Sequence, residues 1–444
     1  MLHLTAEDRR VWVVILSIAL LGVLFIPFSQ AVLGVDYNYT LRVVALGGAI
    51  LGIVSGALGC FAILRRESLL GDALSHAALP GVGVAFLIAG RELGALLLGA
   101  GVASGLGVLF IRSVTHTTRI KQDTAMGIVL ASWFAAGIAL LAYIQSRADA
   151  SQAGLKTFIF GQAAAIVESD VWLISIVGLI VFAVVVLFWK EFKLVTFDPE
   201  FAGANGFRVG LINSVLSTLI VVAIVLGLQL AGVILMVGIL IAPGIAARQW
   251  THKLAPMLIL AAVFGAFAGS TGAIISAIDA DIPTGPMMIV VAFSLVALSI
   301  AFAPERGLVW SLIRQQGDRR RFAAQTTLRD LYKYALAHGG AAHPVPEAFL
   351  VGIGGAGVKL GLRQLERGGN IQPNSGNAWQ LTPQGATVAA QDAHNQALWD
   401  AYREFRDELG LPSIPEERYK NIDTLLPKAS LDLLEGRLQK GISL

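Results

Sequence analysis

Long apolar runs separated by short polar links fill the chain as far as Pro304. They fall near 11–33, 41–64, 74–90, 93–112, 124–145, 171–189, 211–228, 231–248, 255–278 and 285–303. A helix rises about 1.5 Å per residue and the hydrocarbon layer of a bilayer is about 30 Å thick, so each run of ~20 residues is enough to cross it. The pattern predicts about ten spans, the third and eighth short or broken. The first run follows Arg9 and Arg10, but it is long for a signal peptide and lacks a small-x-small cleavage site after it, so it reads as a retained span.

The polar links carry the orientation. With Met1 in the cytoplasm, alternation puts Arg9, Arg10, Arg65, Arg66, Arg112, Arg119, Lys121, Lys190, Lys193, Arg208, Arg248, Lys253 and Arg306 on that side, against Arg42, Arg91, Arg147 and Lys156 outside. This bias is the positive-inside rule and implies an even number of spans with both termini cytoplasmic. Two links are too long for turns. The outer one, 146–170, holds GLKTFIFGQ, whose aromatic and glycine pattern suits an interfacial or re-entrant segment. The inner one, 190–210, reads KEFKLVTFDPEFAGANGFRVG. Asp198 followed by Pro199 is a helix start, Gly203 and Gly206 are weak points or stops, and Phe197, Phe201 and Phe207 offer apolar contacts. A short cytoplasmic helix there is either an interfacial anchor or a knob for a partner.

Beyond Pro304 the periodicity is that of a water-exposed domain, 305–444, on the cytoplasmic side. Helices are predicted over 325–338, 345–351 and 358–367. Two strands, 370–373 and 378–382, flank the Asn374-Ser375-Gly376-Asn377 turn signal, and Thr382 before Pro383 caps a long helix reaching about Leu409. Residues 416–444 add one or two more helices. Helices followed by a two-stranded ribbon are the layout of a winged helix-turn-helix.

Composition confirms the class. The 444-residue chain is 55% hydrophobic and 14% charged, more apolar than a soluble core of this size requires, and its 48 glycines suit helices packed closely in lipid. A net charge of +3 gives no case for nucleic acid, and Cys60 alone makes no internal disulfide. No G-x-x-x-x-G-K-[ST] phosphate loop is present, so the chain supplies no Walker-type ATPase. Gly352 to Gly357 match G-x-G-x-x-G but lack both the acidic ribose ligand downstream and a repeated βαβ pattern, so they read as a turn between helices. His116, His252, His338 and His343 read as solvated loop residues, and Asp279 and Asp281 as loop solvation.

Asp72 and His76 are the candidate chemistry. Four residues apart at the mouth of an apolar run, they share one helix face. Two readings stand at this point. Asp72 after Gly71 is an N-cap, with Ser75 three residues on and His76 a packing residue, or the pair lines a cation path, as intramembrane ionisable groups do. One carboxylate and one imidazole suit manganese, zinc or iron(II), yet two ligands are too few for a tight site. Two chains meeting on an axis would supply four.

The stretches GDALSHAALPGVGVAF at 71–86, TFIFGQ at 157–162, FDPEFAGANGF at 197–207 and GVILMVGILIAPGIAAR at 232–248 resemble, in order, the membrane permease of ABC importers for manganese, zinc or iron. The likeness covers about residues 10–304. It implies an all-α polytopic fold of the type II importer kind in a bacterial inner membrane, carrying the α+β winged-helix domain behind it. It implies no resident cofactor, only the transported divalent metal, and as partners an ABC ATPase, an extracytoplasmic metal-binding protein, a second permease subunit and membrane lipid. It implies that Asp72 and His76 contact the metal and that Asp198, Pro199, Glu200, Phe201, Ala202, Gly203 and Gly206 form the helix that couples to the ATPase. The tail resembles iron- or manganese-dependent repressors through LTPQG at 381–385, LWDAYREF at 398–405 and IDTLLP at 422–427, but Gln396 and Thr424 stand where that pattern has histidines. Lys359, Arg363 and Arg367 read as a solvated face, so DNA is not expected as a partner. The rival expectations are a permease for iron chelates or cobalamin, and a membrane-tethered transcriptional regulator.

Overall fold

The computed structural model describes residues 6–90, 92–146, 166–279, 281–304, 307–414 and 421–441. The chain divides into two units, 1–310 and 311–444. The GLKTFIFGQ segment lies outside the described residues.

The described residues of the first unit form helices joined by short links, with no strand among them. Its helices are α1 (Ala6–Leu33), α2 (Tyr39–Leu64), α3 (Ser68–Ala89), α4 (Leu93–Thr117), α5 (Gln122–Gln145), α6 (Glu168–Leu187), α7 (Trp189–Phe197), α8 (Pro199–Ala204), α9 (Val209–Ala231), α10 (Val233–Arg248), α11 (Leu254–Ser276) and α12 (Thr284–Phe302). Among the described residues nine helices are long and apolar enough to cross a membrane, with α10 the shorter apolar helix beside them. Ten apolar helices thus match the expected runs. The eighth is the short one: α9 ends at Ala231, Gly232 takes φ +78°, and α10 restarts as a 16-residue helix of about 24 Å. The third differs from expectation. It is a continuous 22-residue helix, because the polar stretch before Leu74 is itself helical.

Burial ranks these helices. In the most apolar stretch of α2, 72% of residues are buried, against 11% in α1, so α2 is the central post and α1 lies on the rim. The reason is glycine spacing. Gly48, Gly52 and Gly56 meet Gly269, Gly265 and Ala261 of α11 in antiparallel register, and a Cβ at Gly52 would run into the carbonyl oxygen of Gly265. Lipid tails are as apolar as leucine, so helices associate here through close backbone packing, which small residues permit. Gly81 of α3 and Gly99 of α4 repeat the device, and α3 packs against both α4 and α5.

The second unit holds most of α13 (Leu308–His338), then β1 (Val345–Pro346), α14 (Glu347–Gly354), α15 (Val358–Arg367), β2 (Ile371–Asn374), β3 (Ala378–Leu381), α16 (Pro383–Phe405) and α17 (Lys428–Gly441). The helix expected from Gln325 starts seventeen residues earlier in sequence, at Leu308. The helix expected over 345–351 is instead a short strand followed by a helix, because Pro346 lacks an N–H and sits at the edge of the sheet. The ribbon is present, with Ile371 opposite Leu381 and Asn374 opposite Ala378, and β1 extends it to the order β1-β3-β2. Thr382 caps α16 by accepting from the Gly385 N–H at 3.0 Å. One core gathers Leu328, Leu331, Leu350, Val358, Leu362 and Leu381; a second forms around the fully buried Trp399, with Tyr402, Ile422 and Leu434.

Candidate functional site

Helix α3 begins after a tight reversal at Arg66, which takes φ +60°. Glu67 occupies the cap position without using its side chain as a cap. Its buried carboxylate accepts from the Arg65 guanidinium at 2.7 Å and from the Gln122 side-chain amide at 2.9 Å, tying the α2–α3 turn to the start of α5. The helix therefore starts a full turn before Asp72. That removes the N-cap reading of Asp72, and Ser75 donates instead to the Gly71 carbonyl at 2.8 Å.

Asp72 and His76 come together as their spacing requires. His76 Nε2 lies 3.4 Å from Asp72 Oδ1. The imidazole stands edge-on to Phe134 of α5, with centroids 4.8 Å apart and planes at 81°, and its Nδ1 is buried with no hydrogen-bond partner. The two side chains are 16% and 35% exposed respectively, so the imidazole is held by protein while the carboxylate faces an open side. One turn further on, Pro80 lies inside the helix and has no N–H to give to the residue four earlier. That residue is His76, so its carbonyl is released from the helical ladder beside the imidazole.

A carboxylate oxygen and an imidazole nitrogen are both donor types that a divalent transition metal accepts. Two ligands each about 2.1 Å from a tetrahedral ion stand about 3.4 Å apart. The observed separation is close to that spacing, and it is equally that of a direct Asp–His ion pair. Among the described residues no group of three or more His, Cys, Asp or Glu side chains converges.

The second predicted feature also forms. Helix α8 is capped at both ends: Asp198 Oδ1 accepts from the Phe201 N–H at 2.9 Å, Pro199 fills the first helical position, and Gly206 closes the turn at φ +82°. Ala202 is fully buried beneath it, while Glu200, Phe201 and Gly203 are exposed, with Phe197 and Phe207 exposed on either side. Sequence reading missed α7, which precedes this knob. Its Phe192 is buried against Phe61 of α2, centroids 6.0 Å apart at 67°, so the knob is latched to the central helix. The signal was the Phe188, Phe192 and Val195 spacing, one apolar face of a short helix. Phe134 had no sequence signal, since it reaches His76 only through the packing of α3 on α5.

The remaining candidates have other surroundings. His338 and His343 stack in the second unit with Tyr334, and His116 is exposed. Asp279 accepts from the Asp281 N–H within its own loop. Gly355 takes φ +64° in the turn between α14 and α15, as the glycine run predicted.

A bundle of apolar helices carries a facing Asp–His pair on one helix and an exposed, capped short helix between two spans. Comparison with known proteins gives the family. Residues 36–303 match the model of the ABC 3 transport family, and the chain belongs to it. It is similar to the zinc transport system membrane protein TroC of Treponema pallidum, 45% identical over 63% of this chain and 94% of that protein. It is similar also to the manganese transport system membrane protein MntC of Bacillus subtilis, 38% identical over 89% of this chain and 91% of that protein. That second alignment covers 397 residues, more than the whole first unit, so the likeness extends into the tail. Among solved structures, PsaBC from Streptococcus pneumoniae in complex with Fab matches with TM-score 0.55 and 32% identity, over 64% of this chain and 96% of that chain. The chain is a transport subunit, and ATP hydrolysis belongs to a partner ATPase.

Proposed function

We propose that this chain imports manganese or zinc, that Asp72 and His76 hold the ion in passage, and that the Asp198–Gly206 segment receives the stroke of the ATPase. The observation that carries the reading is the pair itself, a carboxylate oxygen and an imidazole nitrogen at chelating distance on a membrane helix. Relatives named for zinc and for manganese support the cargo class, and both metals accept this ligand pair. A second permease chain brings the other ligands to the open side of Asp72. An incomplete site suits transport, because an ion bound by a closed cage leaves slowly.

The route of the stroke follows the packing. Movement of α8 shifts α7, Phe192 pushes on Phe61, and α2 passes the motion through the Arg65–Glu67 turn to the start of α3, one turn below Asp72. Rocking of α3 opens the site to alternate sides. The charge bias of the links supports a cytoplasmic α8, with both termini on that side, and delivery from an extracytoplasmic metal-binding protein. The second unit we read as a winged-helix module. Lys359, Arg363 and Arg367 are exposed on α15, but the metal-sensing histidines of the repressor pattern are absent at Gln396 and Thr424.

The test is import by the full complex, permease with ATPase and binding protein, given free radiolabelled manganese or zinc or, in parallel, a radiolabelled iron chelate or cobalamin. Uptake of the free ion alone is expected. Uptake of the chelate alone would replace this reading with that of a roomy-cavity permease.

A further inference from the structure

The first half of α13 is the most exposed helical stretch outside the spans: every residue from Ser311 to Phe322 is exposed. A water-facing helix is ordinarily polar, yet Leu312 and Ile313 are 56% and 54% exposed here. They follow directly on Leu308 and Trp310, both also exposed. Immediately beyond come Arg314, Arg319, Arg320 and Arg321, with Asp318 the single acid among them.

The start of α13, within the first unit, is held by hydrogen bonds. The indole N–H of Trp310 donates to the carbonyl of Phe302, the last residue of α12, at 3.1 Å, and the Gly307 N–H donates to the Ala303 carbonyl at 2.7 Å. Helix α13 therefore starts at the level where the last span ends, with a tryptophan at that level, as at bilayer interfaces. From there the residues are ordered along the axis: apolar first, arginine after. At about 1.5 Å per residue, Ile313 and Arg321 are about 12 Å apart, comparable with the step from the acyl boundary through the headgroups.

We propose that residues 308–322 dock on anionic phospholipid, with Leu312 and Ile313 entering the acyl boundary and the arginines meeting the headgroup phosphates. A soluble anion would answer the arginines but leave the apolar turn in water; a neutral lipid would answer the apolar turn but not the arginines. Anionic lipid satisfies both at once.

The test uses the full-length chain in nanodiscs. Cys60 is fully buried, so Ile313→Cys supplies the accessible thiol for a nitroxide label. Collision with oxygen reports lipid, and collision with a water-soluble nickel chelate reports water. In phosphatidylglycerol-containing discs the label is expected in the oxygen-rich phase. In pure phosphatidylcholine discs, or in the same anionic discs after Arg319→Gln, Arg320→Gln and Arg321→Gln together, nickel accessibility is expected to rise about tenfold. The lipid exchange needs no arginine variant, so a folding defect cannot mimic the result. A label equally wet in both lipids, equally dry in both, or dried only by adding the ATPase subunit would overturn the proposal, the last by assigning this face to a protein.

Discussion

In the proposed site Asp72 and His76 hold the ion, and their neighbours set how well they do it. Phe134 holds the His76 ring edge-on, so Phe134→Ala is expected to loosen the imidazole and raise the ion concentration for half-maximal uptake about tenfold while maximal uptake stays near wild type. Dose–response uptake curves for the free ion check this; an unchanged half-maximal concentration would show that the ring only packs. Pro80 makes the opposite kind of contribution. A proline inside a helix costs ~3 kcal/mol, and here it releases the His76 carbonyl beside the site. Pro80→Ala restores that hydrogen bond, and the expected outcome is an unfolding midpoint no lower than wild type together with slower uptake. Loss of stability with normal uptake would assign Pro80 to packing against Gly137 of α5. Of this neighbourhood the sequence disclosed Asp72 and His76 through their helical spacing. It could not disclose Phe134, which belongs to another helix and meets the ring only in three dimensions.

At the scale of helices, the α2–α11 seam is set by glycine. Gly52→Leu forces the two backbones apart, a misfit that small side-chain adjustments cannot absorb because the obstructing atom is a backbone carbonyl. Its expected result is loss of the monodisperse peak in detergent chromatography, whereas Gly127→Ala, where the space is open, behaves as wild type. Helix α8 obeys a gentler rule. Asp198→Ala removes its N-cap and costs about 1 kcal/mol locally. Phe201→Ala removes an exposed ring, so the permease is expected to keep its own stability while its affinity for the ATPase falls about tenfold in a pull-down titration. Equal affinity would contradict the docking role. Boundaries were legible where a capping residue marks them, at Asp198, Thr382 and Gly206. They were misread where a polar stretch remained helical, as before Leu74 and across the first half of α13, because propensity alone does not say whether a polar segment continues its neighbour's helix.

At the largest scale, the proposed mechanism makes a knob, a post and a half-site one moving part. The joint between them is Phe192 on Phe61, an aromatic pair that hydropathy could not pair up across more than a hundred residues. The class and the number of apolar helices were readable from run length, since membrane thickness dictates it. The order of burial was not, because every span is apolar and only the glycine register separates the post from the rim. Phe192→Ala is expected to leave ATP hydrolysis by the complex largely intact and to cut import per ATP hydrolysed; a proportional fall in both would place the defect in assembly instead. The most direct measurement of the central claim is import of radiolabelled manganese and zinc into proteoliposomes holding the complete complex, with wild-type permease, Asp72→Ala or His76→Ala. Either variant is expected to assemble with its ATPase yet lose at least about a hundredfold in uptake, of the order expected when one of few ligands is removed. Wild-type uptake by both variants would contradict it.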